Sequence, residues 1–382
     1  MGSIKIEKIA DNIVSPLGLS TSENFNSILE GKSMLTAHQE EFGLPQPFVG
    51  SIFNREVLNI EFNKKIIGSD KFTFFENLCI LSASYAIQEA QIDPSQKEVV
   101  FVLSTTKGNV DCLENSESDP NCYLAESAIK IASYFNNPNT PIVVSNACIS
   151  GVCAQISAIR LLLSQKYKTA VVIGCDVLSK FIISGFQSFK ALSDESCKPY
   201  DQNRQGLNLG EASATIILQR NQNPESDNWY YLNSSIHNDA NHISGPSRTG
   251  EGSYRVLKDI TKEIPFEEIA FINVHGTATP YNDEMESIAI HRAEMDEIPI
   301  NALKGYYGHT LGAAGVLETI LSMKAADKGI IIATKGFDTI GTTYSVNISS
   351  KQRDTDKRTI IKILSGFGGT NAGIAYRKGG EE

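Results

Sequence analysis

Short β-branched runs alternate with stretches of helical periodicity along most of the chain. Val99 to Leu103 reads as a strand, residues 123–135 as a helix and Pro141 to Val144 as a second strand. An Ala-, Ile- and Leu-rich helix to about Ser164 follows, then a strand from Ala170 to Gly174. That alternation predicts an α/β fold. The most polar stretch, Arg220 to Asp227, falls between strand-like Ala212 to Gln219 and a new run from Trp229 to Ile236, which divides the chain into residues 1–227 and 228–382. The two parts look alike. In the first, Ile142-Val143-Val144 leads through Ser145-Asn146-Ala147 to Cys148, then a helix, then the strand from Ala170, 22 residues past the cysteine. In the second, Ile298-Pro299-Ile300 leads through Lys304 and Gly308 to His309, then a helix from Gly312 to Ala326, then a strand from Ile330, 21 residues past the histidine. The pattern predicts a duplication with one reactive side chain in each half where a strand turns into a helix, the place where open α/β sheets bind ligands.

Charge and cysteine content narrow the function classes. With 34 basic against 44 acidic residues the net charge is −10, so a polyphosphate partner is repelled at long range and a nucleic-acid binder is not expected. No apolar run reaches the ~18 residues a membrane span needs, and Met-Gly-Ser-Ile-Lys-Ile has neither a signal-peptide core nor, with Ile6, a myristoylation pattern. The seven cysteines form no Cys-x-x-Cys pair, so neither a disulfide framework nor a metal site is predicted. The expectation is a cytoplasmic enzyme with reduced thiols.

Three side chains stand out. Cys148 opens a predicted helix, where unpaired N–H groups and the positive end of the helix dipole predict a lowered thiol pKa and a nucleophile. Cys79, Cys112, Cys122, Cys153, Cys175 and Cys197 read as structural. His275 follows the strand Ile269 to Val274 and opens His-Gly-Thr-Ala-Thr-Pro; His309 lies in Tyr-Gly-His-Thr-Leu-Gly-Ala-Ala-Gly. Near a helix start an imidazole is pushed toward its neutral form, which suits holding an oxyanion. His38, His237 and His291 have no comparable setting, and His242 in its polar loop stays open. Ser365-Gly-Phe-Gly-Gly-Thr-Asn371 is glycine-rich without the spacing of a dinucleotide or P-loop motif, and its glycines would let a backbone N–H approach a substrate oxygen.

Together these residues match a family. Ser-Asn-Ala-Cys148-Ile-Ser-Gly, Lys198-Pro-Tyr-Asp, Gly206-Leu-Asn-Leu-Gly-Glu211, His275-Gly-Thr-Ala-Thr-Pro with Asp283, Lys304 with Gly-His309-Thr-Leu-Gly and Glu318, and Gly-Phe367-Gly-Gly-Thr-Asn occur in order from about residue 140 to 376. The set resembles the elongating β-ketoacyl-carrier-protein synthases. The resemblance implies a duplicated thiolase-like fold, five-layered α-β-α-β-α, as a homodimer or a heterodimer with a paralogous ketosynthase. It implies decarboxylative condensation of malonyl carrier protein with an acyl chain held on Cys148, in fatty-acid or related polyketide or polyene synthesis, with no cofactor beyond the carrier's phosphopantetheine. His275 and His309 would act in decarboxylation, supported by Lys304 and Glu318. Phe367 would be the mobile gate with Phe186, and its N–H with that of Cys148 the oxyanion hole. Thr277 and Thr279 match the positions that hold the pantetheine arm.

Two features depart from that pattern. The stretch between Ser104 and Pro141 is shorter than in the fatty-acid members and carries a polar Ser-Glu-Ser-Asp-Pro turn, in a region that lines the acyl pocket and dimer contact of the family. The acidic carrier protein would also need local basic charge, for which Lys64, Lys65, Lys71 and Lys190 are the candidates. Two readings from other classes compete: a non-catalytic, chain-length-setting partner subunit, in which the cysteine is normally missing, and an acyl hydrolase using Cys148, His275 and Asn371. The second leaves His309 and Lys304 without a task.

Overall fold

The computed structural model describes residues 4–114, 119–221, 227–239 and 241–380. Most of the boundary stretch 220–227 and of the polar turn after Glu114 therefore lies outside the described residues. Ten strands carry the architecture: β1 (Lys5–Val14), β2 (Val99–Ser104), β3 (Ile142–Val144), β4 (Thr169–Asp176), β5 (Ala212–Asn221), β6 (Trp229–Asn238), β7 (Ile269–Asn273), β8 (Ile300–Asn301), β9 (Thr359–Gly366) and β10 (Thr370–Lys378). Their order is 3-2-4-5-1 in the first half and 8-7-9-10-6 in the second, the same permutation shifted by five. Pairing types agree as well. In each half the first three strands are parallel and the last two join antiparallel. The sheet of one half joins that of the other at β1 and β6 through two residue pairs, Glu7 with Tyr230 and Lys8 with Trp229.

Six helices complete the layers: α1 (Phe74–Ala90), α2 (Leu124–Tyr134), α3 (Ser150–Leu163), α4 (Glu251–Ile260), α5 (Pro280–Arg292) and α6 (Ala314–Asp327). Alternation along the strands sends side chains to two cores at once. On β2, Val100 and Val102 join the central core with Ile156 of α3 and Ile320 of α6, while Val99, Phe101 and Leu103 join an outer core with Leu78 of α1 and Ile131 of α2. On β9, Ile360 and Leu364 point to the same central core, and Ile361 and Ile363 to an outer one with Leu257 of α4 and Ile290 of α5. The result is five layers, with α3 and α6 enclosed between the two halves of one ten-stranded sheet. Enclosure explains why α6 shows no polar face: from Ala314 to Met323 every residue is buried.

The duplication is present, but one part of its expected register is not. The segment at Ile330 does not correspond to the strand from Ala170. Ile330–Ile331 pairs antiparallel with Arg353–Asp354 in a separate two-stranded sheet, and the partner of β4 in the second half is β9. The matching spacings of 22 and 21 were coincidental, because the second half interposes residues 328–358 between its central helix and its third parallel strand. The helix expected from Gly312 starts as a 3₁₀ turn, Leu311–Ala313, and the strand expected over 298–300 pairs only at Ile300–Asn301.

Candidate active site

The N-termini of α3 and α6 meet at the centre of the molecule. Gly151 and Gly315 allow it: a Cβ on Gly315 would lie 2.4 Å from the Val152 nitrogen, and one on Gly151 2.8 Å from the Gly315 Cα. Close approach of the two helices brings the preceding turns together. Before α3, Ala147 takes a φ of +45°, a left-handed conformation rare for a residue with a Cβ, and presents Cys148 to the interior. Before α6, the backbone of His309 is clamped by the Gly206–Glu211 motif. The His309 N–H donates to the Asn208 carbonyl at 2.7 Å, and the Gly210 N–H to the His309 carbonyl at 3.0 Å. Gly210 is required there, since a Cβ would fall 1.9 Å from the Tyr307 oxygen.

His275 arrives from the C-terminal end of β7. Its loop is held by two buried carboxylates of α5. Glu286 accepts the N–H groups of His275 and Gly276 at 2.7 and 2.8 Å, and Asp283 those of Thr277 and Ala278 at 3.0 and 3.1 Å. The Lys198-Pro-Tyr-Asp motif serves the same pair, Tyr200 donating its N–H to Asp283 at 2.7 Å and its hydroxyl to Glu286 at 3.3 Å. Asp283 belongs to the motif legible in the sequence; Glu286 does not, and its signal is the shared face of α5, three residues on.

Cys148, His275 and His309 converge, each offering one sulfur or nitrogen within 4.8 Å of the others. The imidazole centroids are 5.0 Å apart, with the rings nearly perpendicular. Nδ1 of His309 accepts the Leu311 N–H at 3.3 Å, so its proton belongs on Nε2, which is buried and has no partner. Nδ1 of His275 is also buried without a partner. Burial first, then the Lys304 charge, with Lys362 contributing, hold both imidazoles well below their usual pKa, hence neutral. The expectation for the thiol was the reverse of what is found. Burial pushes Cys148 up to about 11, against the pull of Lys304, the Phe367 N–H and Lys107. The enclosed sulfur loses more by dehydration than its surroundings return, so it rests as a thiol.

Beneath the histidines lies a buried ionic cluster. Lys304 donates to the His275 carbonyl at 2.6 Å and to Glu318 Oε1 at 2.8 Å. A second lysine, Lys362 on β9, takes Glu318 Oε2. Nothing in its sequence setting marks it as part of a site. Burial draws the Lys362 ammonium down to about 8 against the pull of Glu318. A sulfur and two imidazoles form a ligand set that a thiophilic metal would accept, but the positive cluster beside them opposes a dication.

The three side chains open into a cavity of about 410 Å³. Thr277 and Thr279 line it and share a hydroxyl contact of 2.9 Å. Phe367 stacks on Phe186 with centroids 5.8 Å apart, and a third ring not anticipated, Phe189, meets it edge-on at 5.4 Å. The Phe367 backbone N–H favours the ionised form of the Cys148 sulfur, against the effect of burial. His242 lines the cavity mouth, and its Nδ1 accepts the N–H groups of Ser244 and Gly245, each at 3.2 Å, closing a turn. Asn371 accepts from Ser253 and Ser365 and donates to Asp239 and Gly369; none of its bonds reaches an imidazole. Of the four candidate lysines only Lys190 lines the cavity; Lys64, Lys65 and Lys71 are exposed on and beyond the helix Arg55–Lys65.

Two family models match the chain: "Beta-ketoacyl synthase, N-terminal domain" over residues 6–223 and "Beta-ketoacyl synthase, C-terminal domain" over 231–338. A 3-oxoacyl-[acyl-carrier-protein] synthase 2 from Rhizobium meliloti is 30% identical over 275 residues, 67% of this chain and 64% of that protein. Another from Coxiella burnetii is 24% identical, with 96% of each chain covered. Among solved structures, a ketosynthase in complex with its chain length factor from Xenorhabdus doucetiae superposes with a TM-score of 0.83 at 23% identity, covering 98% of each chain. A beta-ketoacyl synthase from Burkholderia phymatum gives 0.88 at 19% identity, covering 99% of this chain and 100% of that one. These two likenesses show the fold.

Proposed function

Because the chain belongs to the beta-ketoacyl synthase family, we propose that it catalyses decarboxylative condensation between an acyl group on Cys148 and malonyl carrier protein. The observation that carries this is the meeting of one thiol and two neutral imidazoles around one cavity. In the first step the Cys148 sulfur bonds the acyl carbonyl carbon and the carrier's pantetheine sulfur leaves as a thiol, taking over the proton that Cys148 gives up. One thioester replaces another, at little thermodynamic cost. The N–H groups of Phe367 and Cys148 would donate to the oxygen on which charge develops, as in the family's oxyanion hole. In the second step malonyl carrier loses carbon dioxide, and the electron pair of the broken carbon–carbon bond forms an enolate. The Nε2–H of His309 and the imidazole of His275 stabilise its oxygen without reorganising. The enolate carbon attacks the acyl thioester, and the Cys148 sulfur departs and regains a proton.

In this reading Thr277 and Thr279 hold the pantetheine arm and Lys190 meets the acidic carrier, which their position in the cavity lining supports. Subunit pairing belongs to the same reading: a homodimer, or a heterodimer with a paralogous ketosynthase, which the Xenorhabdus doucetiae ketosynthase in complex with its chain length factor supports. Among the described residues no helix is long and apolar enough to cross a membrane, and a cytoplasmic location is part of the proposal. The hydrolase alternative loses its third member, because Asn371 is committed to the loop beneath Phe367. The test is intact-mass spectrometry with a panel of acyl carrier proteins. An acyl adduct absent from Cys148→Ala, converted by malonyl carrier to an elongated product, is expected. Hydrolysis without elongation, or no adduct on any carrier, refutes the assignment.

A further inference from the structure

Lys362 is an unusual residue to find in the middle of a buried strand. Its ammonium is fully enclosed and ringed by four oxygens: Asn273 Oδ1 at 2.7 Å, the Val274 carbonyl at 3.0 Å, the Asn273 carbonyl at 3.5 Å and Glu318 Oε2. Asn273 and Val274 are the two residues before His275, whose own carbonyl is held by Lys304. Two ammonium groups thus grip three consecutive residues at the end of β7 and share one carboxylate. Within the cluster itself two cations share one carboxylate, an excess of positive charge beneath the imidazoles to which Glu286 is the next buried carboxylate. A lysine needed only to neutralise Glu318 would be redundant, since Lys304 already does so at 2.8 Å.

We infer that Lys362 is a positioning residue of the condensing site, an internal monovalent cation in an oxygen cage that fixes the backbone carrying His275 and keeps an excess positive charge under both histidines. The inference rests on the Cys148–His275–His309 reading above. The groups facing the imidazoles are Lys304, Lys362 and Glu318 on the inner side, Cys148 across the cavity, Glu286 on the His275 N–H, and Asp176, which accepts the Gly312 N–H behind His309. Both imidazoles are depressed by burial and by Lys304 and Lys362. Their neutral form therefore persists to lower pH than in a free histidine. Removing one cation lets their pKa values rise, so protonation begins at higher pH.

The experiment compares Lys362→Met, which removes the charge but fills the space, with Lys362→Gln, which keeps donors for the carbonyls. Lys362→Ala is added with the ammonium left to solution. Acylation of Cys148 is followed by intact mass and condensation by product formation across pH. In Lys362→Met and Lys362→Gln acylation stays near the wild-type rate, and the acid limb of condensation moves up by about one unit. Lys362→Ala loses condensation in tetramethylammonium chloride and regains it in ammonium or potassium chloride at equal ionic strength, because only the smaller cations fit the cage. An unshifted acid limb in a variant that folds and acylates overturns the inference. Should Lys362→Met fail to fold, the limb of Lys362→Gln decides. A wild-type protein that never condenses overturns the functional reading itself, and this inference with it.

Discussion

His309 shows how much chemistry one hydrogen bond decides. Because Nδ1 is occupied by the Leu311 N–H, the free nitrogen must be the protonated one, and a buried donor without a partner is costly unless a ligand completes it. An enolate oxygen is such a ligand. Removal of one oxyanion donor is worth about 2.7–4 kcal/mol, so His309→Ala is expected to slow condensation about a hundredfold or more while Cys148 still acylates. Single-turnover assays of the two steps check this; equal loss in both would show that His309 acts before the enolate forms. The residues of the triad were legible because each sits in a run of small residues at a strand end or helix start, where little else explains a histidine or cysteine. Lys362 was not. In Thr-Ile-Ile-Lys-Ile-Leu a single lysine reads as one solvent-facing position of a strand, and only the fold sets Glu318 against it. The thiol was legible in position and wrong in acidity, since helix-end electrostatics are local and visible in sequence, whereas enclosure depends on the whole cavity.

At the level of elements, the alternation of strand and helix patterns was enough to show an α/β duplication, and the two reactive turns were correctly paired. What failed was the third strand of the second half. Ile330 opens an apolar run of the right kind at the right distance, but strand pairing depends on partners remote in sequence, and residues 328–358 carry that run into a small sheet of its own. Contact between α3 and α6 was equally hidden. Glycine in a helix normally costs about 1 kcal/mol relative to alanine, so Gly315→Ala would stabilise an exposed helix. Here the added Cβ meets the Val152 nitrogen at 2.4 Å, backbone that has nowhere to go. Overpacking of about 1–3 kcal/mol outweighs the propensity gain. The variant is expected to unfold at lower urea and, because the helices must part, to lose condensation more than acylation. A raised urea midpoint would mean that the helix crossing has slack.

For the molecule as a whole, the proposed function asks how a protein of net charge −10 would take an acidic carrier. The two effects have different ranges. Repulsion from the summed charge acts over distances that salt screens beyond about 8–10 Å, while a cation at the cavity mouth acts at contact. Lys190 is exposed, directly after Phe189, whose ring meets Phe367 edge-on, and it lines the cavity with Cys148. Lys71 lies on the turn Ser69–Lys71, outside the lining. If local attraction outweighs the general field, kcat/KM for acyl carrier protein falls as salt rises in the wild type, because the attractive contact is weakened. In Lys190→Glu the remaining interaction is repulsive throughout. Its kcat/KM then starts several-fold lower and rises with salt, since screening now helps. Lys71→Glu should lie between the two and keep the wild-type sign. Measuring kcat/KM at limiting carrier from about 50 to 300 mM salt distinguishes these cases by the sign of the slope. Identical slopes in wild type and Lys190→Glu would show that the carrier enters without using this lysine, leaving the exposed cluster at Lys64, Lys65 and Lys71 as the place to look.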